Sequence, residues 1–361
     1  MSNITNEDKQ HFYWLDLIRF LAAFEVVLCH YRGFFFVEYG LLPAEKQNIF
    51  SQIFYFATRL GHEAVLIFFV LSGLLVGGKA LEKAHLGTFN IKGYAIDRFV
   101  RIILPLISVL LLIIPITFAL GEQINWINWI GNLFSLQGVL VGFVGHCAPL
   151  WSLAYEVWFY IIIGASIAFF KNKNKILPTI ILIICALIFL KLDLKYLVIW
   201  SMGTLTYFTF KSKKSKVLLY LAILGFIVSL LCLQLTRGSR TLEFNVDGFT
   251  YDALQYLLSI SFCIIISFIA NAKPINKISS YINNLGTKLA TFSYTLYLIH
   301  TPLGHILSKY FIPKSESINI YSIGYYLIAI IICMLITYGV YWCFEKRTSV
   351  VKAFIKRKLL K

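Results

Sequence analysis

Ten long apolar runs, separated by short polar segments, leave this chain only one solvent in which it can fold. They lie at 14–31, 61–78, 99–119, 152–170, 176–191, 196–210, 217–236, 253–271, 290–308 and 321–344. Most approach the roughly 20 residues that a helix needs to cross a bilayer, where the backbone must satisfy its own hydrogen bonds. Composition agrees, since 59% of the 361 residues are hydrophobic and only 14% charged, against about a half and a quarter in soluble domains. The expected fold class is an all-α polytopic membrane protein with about ten transmembrane helices. No sizeable water-soluble domain fits beside them. The first run lacks a small-residue cleavage site and reads as a retained span.

Charge sets the expected orientation. Lys and Arg outnumber Asp and Glu by 33 to 17, an excess that in a soluble chain would suggest a nucleic-acid partner. In a polytopic chain the basic residues collect on cytoplasmic segments. Here 23 of them fall on alternate segments counted from the N-terminus and 9 on the segments between. Both termini are therefore expected in the cytoplasm, with no nucleic acid bound. The seven cysteines are odd in number and form no CxxC pair, so they read as small core residues. The outside segment 120–150 has two tryptophans and no basic residue, and is expected to lie partly in the interface as an amphipathic stretch. No linker or repeat divides the chain, so residues 1–361 are expected to form a single domain.

Ionisable groups inside apolar runs are costly and mark candidate sites. In the first span Asp16, Arg19, Ala23, Val26 and His30 share one helical stripe, and Arg19 and His30 stand about 16 Å apart along the axis. Arg98 and Arg101 are one turn apart at the cytoplasmic start of the third span, with Pro105 beyond. As well as anchoring that span, two guanidiniums so spaced suit the phosphates of a nucleotide-bearing donor. In LWSLAYEVWFY, Ser152 and Glu156 project together within an aromatic girdle that includes Trp151, and Glu156 needs a partner, most naturally a histidine from the outer half. The ninth span places Ser293, Tyr297 and His300 on one stripe, with Tyr294 adjacent and Pro302 expected to bend the helix. Ser72 and Gly73, ending FFVLSG, read as a close packing contact. No HExxH spacing, GxSxG elbow or phosphate-cradling glycine loop occurs, and no metal is expected.

Together these stretches resemble the acyltransferase-3 membrane proteins, bacterial integral-membrane enzymes that O-acetylate envelope glycans. The resemblance rests on LDLIRFLAAFEVVLCH (15–30), FFVLSG (68–73), DRFVRIILP (97–105), LWSLAYEVWFY (150–160) and SYTLYLIHTP (293–302), in the family's order. The family's R-x10-H pattern falls on Arg19 and His30, its RxxR on Arg98 and Arg101, and its WSLxxE on Trp151, Ser152 and Glu156. It implies about ten spans with both ends inside. No fused extracytoplasmic SGNH domain is expected.

The resemblance implies an O-acyltransferase of the bacterial cytoplasmic (inner) membrane. Acetyl-CoA would be the donor, and an O-antigen, capsule or exopolysaccharide, or a lipid-linked sugar, the acceptor. The lipid bilayer is the medium, and an oligomer or accessory protein is a compatible partner. Arg19, Arg98 and Arg101 are expected to hold the donor, and Asp16, Trp151 and Ser152 to line the substrate path. His30, oriented by Glu156, is expected to act as general base, with Tyr294 and Ser293 donating to the oxyanion. Direct transfer and a covalent acetyl-histidine both remain open. A glycan transporter or flippase is the competing reading, because polar stripes also line transport paths. A non-enzymatic scaffold is the other, because polar pairs also hold helices together.

Overall fold

The computed structural model describes residues 12–210, 215–236 and 248–359. Lys9, the basic stretch 211–214 and most of the segment 237–252 lie outside the described residues. Fifteen α-helices follow in order: α1 (Leu15–Phe35), α2 (Ile49–Ala57), α3 (Gly61–Ser72), α4 (Lys79–His85), α5 (Ile91–Ala119), α6 (Trp126–Leu133), α7 (Leu150–Lys171), α8 (Ile176–Phe189), α9 (Leu194–Thr206), α10 (Lys216–Thr236), α11 (Gly248–Ile269), α12 (Lys277–Ala290), α13 (Ser293–Tyr310), α14 (Ile320–Cys343) and α15 (Thr348–Leu359). No strand occurs among the described residues, so the all-α expectation holds.

Six helical stretches among the described residues are long and apolar enough to cross a membrane: Ile49–His85, Ile91–Ala119, Leu150–Lys171, Lys216–Leu235, Gly248–Ile269 and Ile320–Leu359. The sequence reading expects ten. The four others, α1, α8, α9 and α13, fall short for two reasons. α8 and α9 have only 14 and 13 residues, about 20 Å of rise each. α1 carries Asp16, Arg19, Glu25 and Arg32, and α13 carries two histidines and Lys309. Asp16 and Arg19, two of the residues that lower the mean hydropathy of α1, are among those singled out as functional.

α1 packs against α3, α12, α13 and α14. Its buried Ala22, Ala23, Val26 and Val27 are small enough for neighbouring backbones to approach closely. α5 runs on through Pro105 and Pro115, and α13 through Pro302, so none of these prolines ends its helix. α2, α4, α6, α12 and α15 are additional to the ten spans. α6 sits in the 120–150 segment with Trp126, Ile127 and Ile130 exposed, as an interfacial stretch should. The polar starts of α2, α12 and α14 are closed by reciprocal capping boxes, Asn48 with Ser51, Asn276 with Ser279 and Asn319 with Ser322. All seven cysteines are free, and Cys147, Cys185, Cys263 and Cys333 are buried.

Between α3 and α4 the chain makes a π-helical segment, Gly73–Gly78. It is pressed against α9 along a seam of glycines. A Cβ on Gly73 would lie 1.9 Å from the Trp200 carbonyl oxygen, one on Gly77 2.1 Å from Thr204 Oγ1, and one on Gly203 2.2 Å from the Val70 carbonyl oxygen. The Thr204 hydroxyl donates to the Gly73 carbonyl at 3.1 Å, which meets part of the hydrogen-bonding demand of the widened turn. Gly73→Ala is expected to cost about 1–3 kcal/mol or more, because backbone and not a flexible side chain must give way. A thermal-unfolding midpoint in detergent checks this, with Gly324→Ala, whose Cβ meets nothing within 4 Å, as the neutral control.

Candidate active site

A cavity of about 600 Å³ opens among α1, α3, α5, α7 and α13. Asp16, Arg19, Lys79, Arg98 and Arg101 line it together with Ser72, Ser152, Glu156, Tyr160, Ser293, Tyr294 and Tyr297. Four cations from three elements, α1, α4 and α5, thus face one space. Their counter-charges are local. Arg19 bonds Asp16 at 2.9 Å one turn back on α1, and Arg101 pairs with Glu345 at 2.9 Å. The Arg101 guanidinium also lies over the Tyr294 ring, and that of Arg98 over the Tyr160 ring, each 5.6 Å from the centroid. Arg98 Nε and the Tyr294 hydroxyl are buried without a hydrogen-bond partner among the described residues. Unmet donors at a basic cavity are what an anionic ligand would satisfy.

Midway along the cavity Glu156 is the acceptor at the centre of a network. The Tyr160 hydroxyl donates to its carboxylate in a short hydrogen bond. Ser72 Oγ donates to the same oxygen at 3.3 Å, and Trp200 Nε1 donates to Ser72 at 3.2 Å. Ser72 stands where α3 gives way to the π segment, so the glycine seam on α9 sets the position of a group that touches Glu156.

Farther from the arginines, Ser152 Oγ and the Tyr297 hydroxyl are 2.6 Å apart, and both lie within hydrogen-bonding distance of the Pro149 carbonyl. The Tyr297 ring lines the cavity on one side and packs 5.9 Å from the His300 ring on another. His300 Nε2 is 2.9 Å from His30 Nδ1. The other nitrogen, His300 Nδ1, is 3.2 Å from the Leu296 carbonyl oxygen. A carbonyl only accepts, so in the neutral pair His300 carries its hydrogen on Nδ1 and presents a lone pair at Nε2. His30 then donates from Nδ1, and its own Nε2 is left with a lone pair. The sequence Leu296 carbonyl, His300, His30 therefore fixes one imidazole tautomer from the backbone outward.

The family model described as an acyltransferase domain, Acyl_transf_3, matches residues 12–342. The chain belongs to the acyltransferase-3 family. Comparison with curated proteins and with solved structures returned no match. Membership makes the chain an acyltransferase of the multi-pass membrane type, and the five family motifs can now be placed. Arg19, Arg98 and Arg101, the expected donor residues, all line the one cavity. So do Asp16, Ser152, Glu156, Ser293 and Tyr294.

Four expectations for this acyltransferase-3 chain change. Glu156 does not orient His30: it is held by Tyr160 and Ser72, and the partner of His30 is His300. Trp151 does not line the cavity, because its ring stacks on His62 and packs against Phe69, Tyr155 and Tyr196. Ser293 commits its hydrogen to the Ala290 carbonyl at 2.9 Å and has none for an oxyanion. Tyr294 sits under Arg101, six residues before His300 and so about 9 Å from it along α13. That places its free hydroxyl beside the arginines. Ser72 and Gly73 divide between two jobs, with Gly73 in the packing seam and Ser72 in the site.

Sequence reasoning gave no role to Lys79 and Tyr160, which line the cavity, or to His300 and Glu345, which contact His30 and Arg101. His300 stood on a recognised polar stripe, but nothing in the sequence says that α13 faces α1. Glu345 is the first residue of the basic tail, and its one signal was being an isolated acid among lysines and arginines.

Proposed function

We propose that this acyltransferase moves an acetyl group from acetyl-CoA to a hydroxyl of an envelope glycan, or of its lipid-linked precursor, at the outer face of the bacterial cytoplasmic membrane. The observation that carries the reading is the polarity of the site. Cations crowd one end, on the side assigned to the cytoplasm by the charge distribution, and an imidazole with a bare nitrogen lies beyond the other. Arg19, Lys79, Arg98 and Arg101 receive the phosphates of the donor, with Tyr294 as an added hydrogen-bond donor. The pantetheine arm runs past Glu156 toward Ser152 and Tyr297, which stand between the cavity and the imidazoles. The roughly 16 Å from Arg19 to His30 along α1 suits such an arm.

In the chemical step His30 Nε2 takes the proton from the acceptor hydroxyl as its oxygen attacks the thioester carbonyl. The C–O bond forms, the C–S bond breaks, and the proton passes from His30 to the departing thiolate, so free CoA leaves as the thiol. His300 holds the ring of His30 in the tautomer that this requires.

The test is purified protein in proteoliposomes with labelled acetyl-CoA supplied to the basic face. Wild-type protein is expected to bind CoA and release or transfer the label. Arg98→Ala together with Arg101→Ala is expected to raise the donor KM about 10- to 100-fold through loss of charge-assisted hydrogen bonds. Absence of any CoA binding by the wild type overturns the reading and favours transport.

A further inference from the structure

The segment that follows the family-matched residues grips the RxxR turn at both ends. Glu345, in the elbow between α14 and α15, is buried at 3% exposure. Its Oε1 is ion-paired with Arg101 at 2.9 Å. Its Oε2 accepts from the Thr295 hydroxyl at 2.6 Å and from the Thr295 amide at 3.3 Å, which fixes the carboxylate against α13. One helical turn before Arg101, Asp97 is ion-paired with Lys356 at 2.8 Å and with Lys352 at 3.5 Å, both on α15. Arg98, between the two grips, keeps a buried Nε without a hydrogen-bond partner among the described residues. The residues matched to the family end at 342, before Glu345, Lys352 and Lys356.

We infer that Glu345 is a positioning residue for the donor, and that it acts through Arg101. An arginine side chain left to itself spreads over many rotamers, and the entropy of ordering it is lost when a phosphate binds. Glu345 takes one side of the Arg101 guanidinium and Tyr294 supports its face, so the remaining N–H groups are aimed before the ligand arrives. The lysines of α15 do the same for the backbone turn by holding Asp97. The dianionic 3′-phosphate of CoA is the chemistry such a fixed pair of guanidiniums would read. This inference rests on the acetyl-CoA reading above.

The experiment compares full-length wild type, Glu345→Gln, Glu345→Asp and the double variant Lys352→Ala/Lys356→Ala. It measures equilibrium binding of CoA and of 3′-dephospho-CoA, and KM and kcat with acetyl-CoA. Glu345→Gln is expected to raise the acetyl-CoA KM about tenfold with kcat within twofold, and to lose most of its preference for CoA over dephospho-CoA. Glu345→Asp should recover part of both. The lysine double variant, whose side chains are 41% and 33% exposed, tests the second grip without opening the core, and a threefold or larger rise in KM is expected. An unchanged or lower KM in both Glu345→Gln and the lysine variant would show that the carboxylate merely competes with phosphate, and would overturn the inference. A uniform fall in kcat with KM and ligand preference intact would overturn it as well, as a purely structural role. If wild type binds no CoA, the acetyl-CoA reading fails first and takes this inference with it.

Discussion

Replacing His30 with alanine is expected to lower acyl transfer by about 10²- to 10⁴-fold, the range over which a positioned general base contributes. The loss should appear in kcat and leave donor affinity unchanged, because His30 is not among the residues that line the cavity where the phosphates are proposed to sit. Calorimetric or thermal-shift binding of CoA to the variant, beside turnover in proteoliposomes, separates the two. Full glycan acetylation by His30→Ala would remove the histidine from the mechanism. His30→Gln, which restores a donor toward His300 but no base, should be as inactive as alanine. A scaffold role would instead tolerate that swap.

The second large effect is expected at His300. His300→Ala removes the acceptor that holds His30 Nδ1–H, so the bare nitrogen of His30 is no longer fixed in tautomer or direction. A loss of about 100-fold in kcat is expected from misorientation of a base that remains present. His300→Gln offers a carbonyl oxygen in much the same place and should recover part of the rate. The ring is fully buried, so the alanine variant also leaves a cavity, and a thermal midpoint must accompany the kinetics. Turnover of His300→Ala within twofold of wild type, with the protein folded, would show that the imidazole pair does not set the base.

Much of this molecule is legible before folding because lipid imposes a simple rule. Uncharged runs of helical length announce spans, and a charged group within one announces a site. Asp16, Arg19, Arg101 and Glu156 are found that way, and all of them line the same cavity. What escapes is adjacency between helices distant in sequence. His30 and His300 are 270 residues apart, and hydropathy carries no information on which spans touch. Pairing Glu156 with His30 rested on their both standing in outer-half positions, whereas the helix that presents a partner to His30 is α13. α12 was missed for another reason: it lies between spans, mixes Lys277 and Lys288 with Ile278, Tyr281 and Leu285, and is too polar for a span. Trp151 shows the limit of motif transfer, since a residue can belong to a family-like string and still serve an aromatic cluster next to the site.

The glycine seam has a bearing on how this site tolerates change. At Gly73 and Gly203 the backbones of the two elements touch with no side chain between them, like parts machined without a gasket, and at Gly77 the Thr204 and Trp200 side chains fill the space a Cβ would need. Any added methyl group is a shim. It would move Ser72 relative to Trp200 and Glu156, and so alter the bore of the donor's path from a position that contacts no substrate. The outward face of α9 has no such gauge to keep, so Gly203 in the seam and Leu205, 64% exposed two residues on, stand under very different constraint.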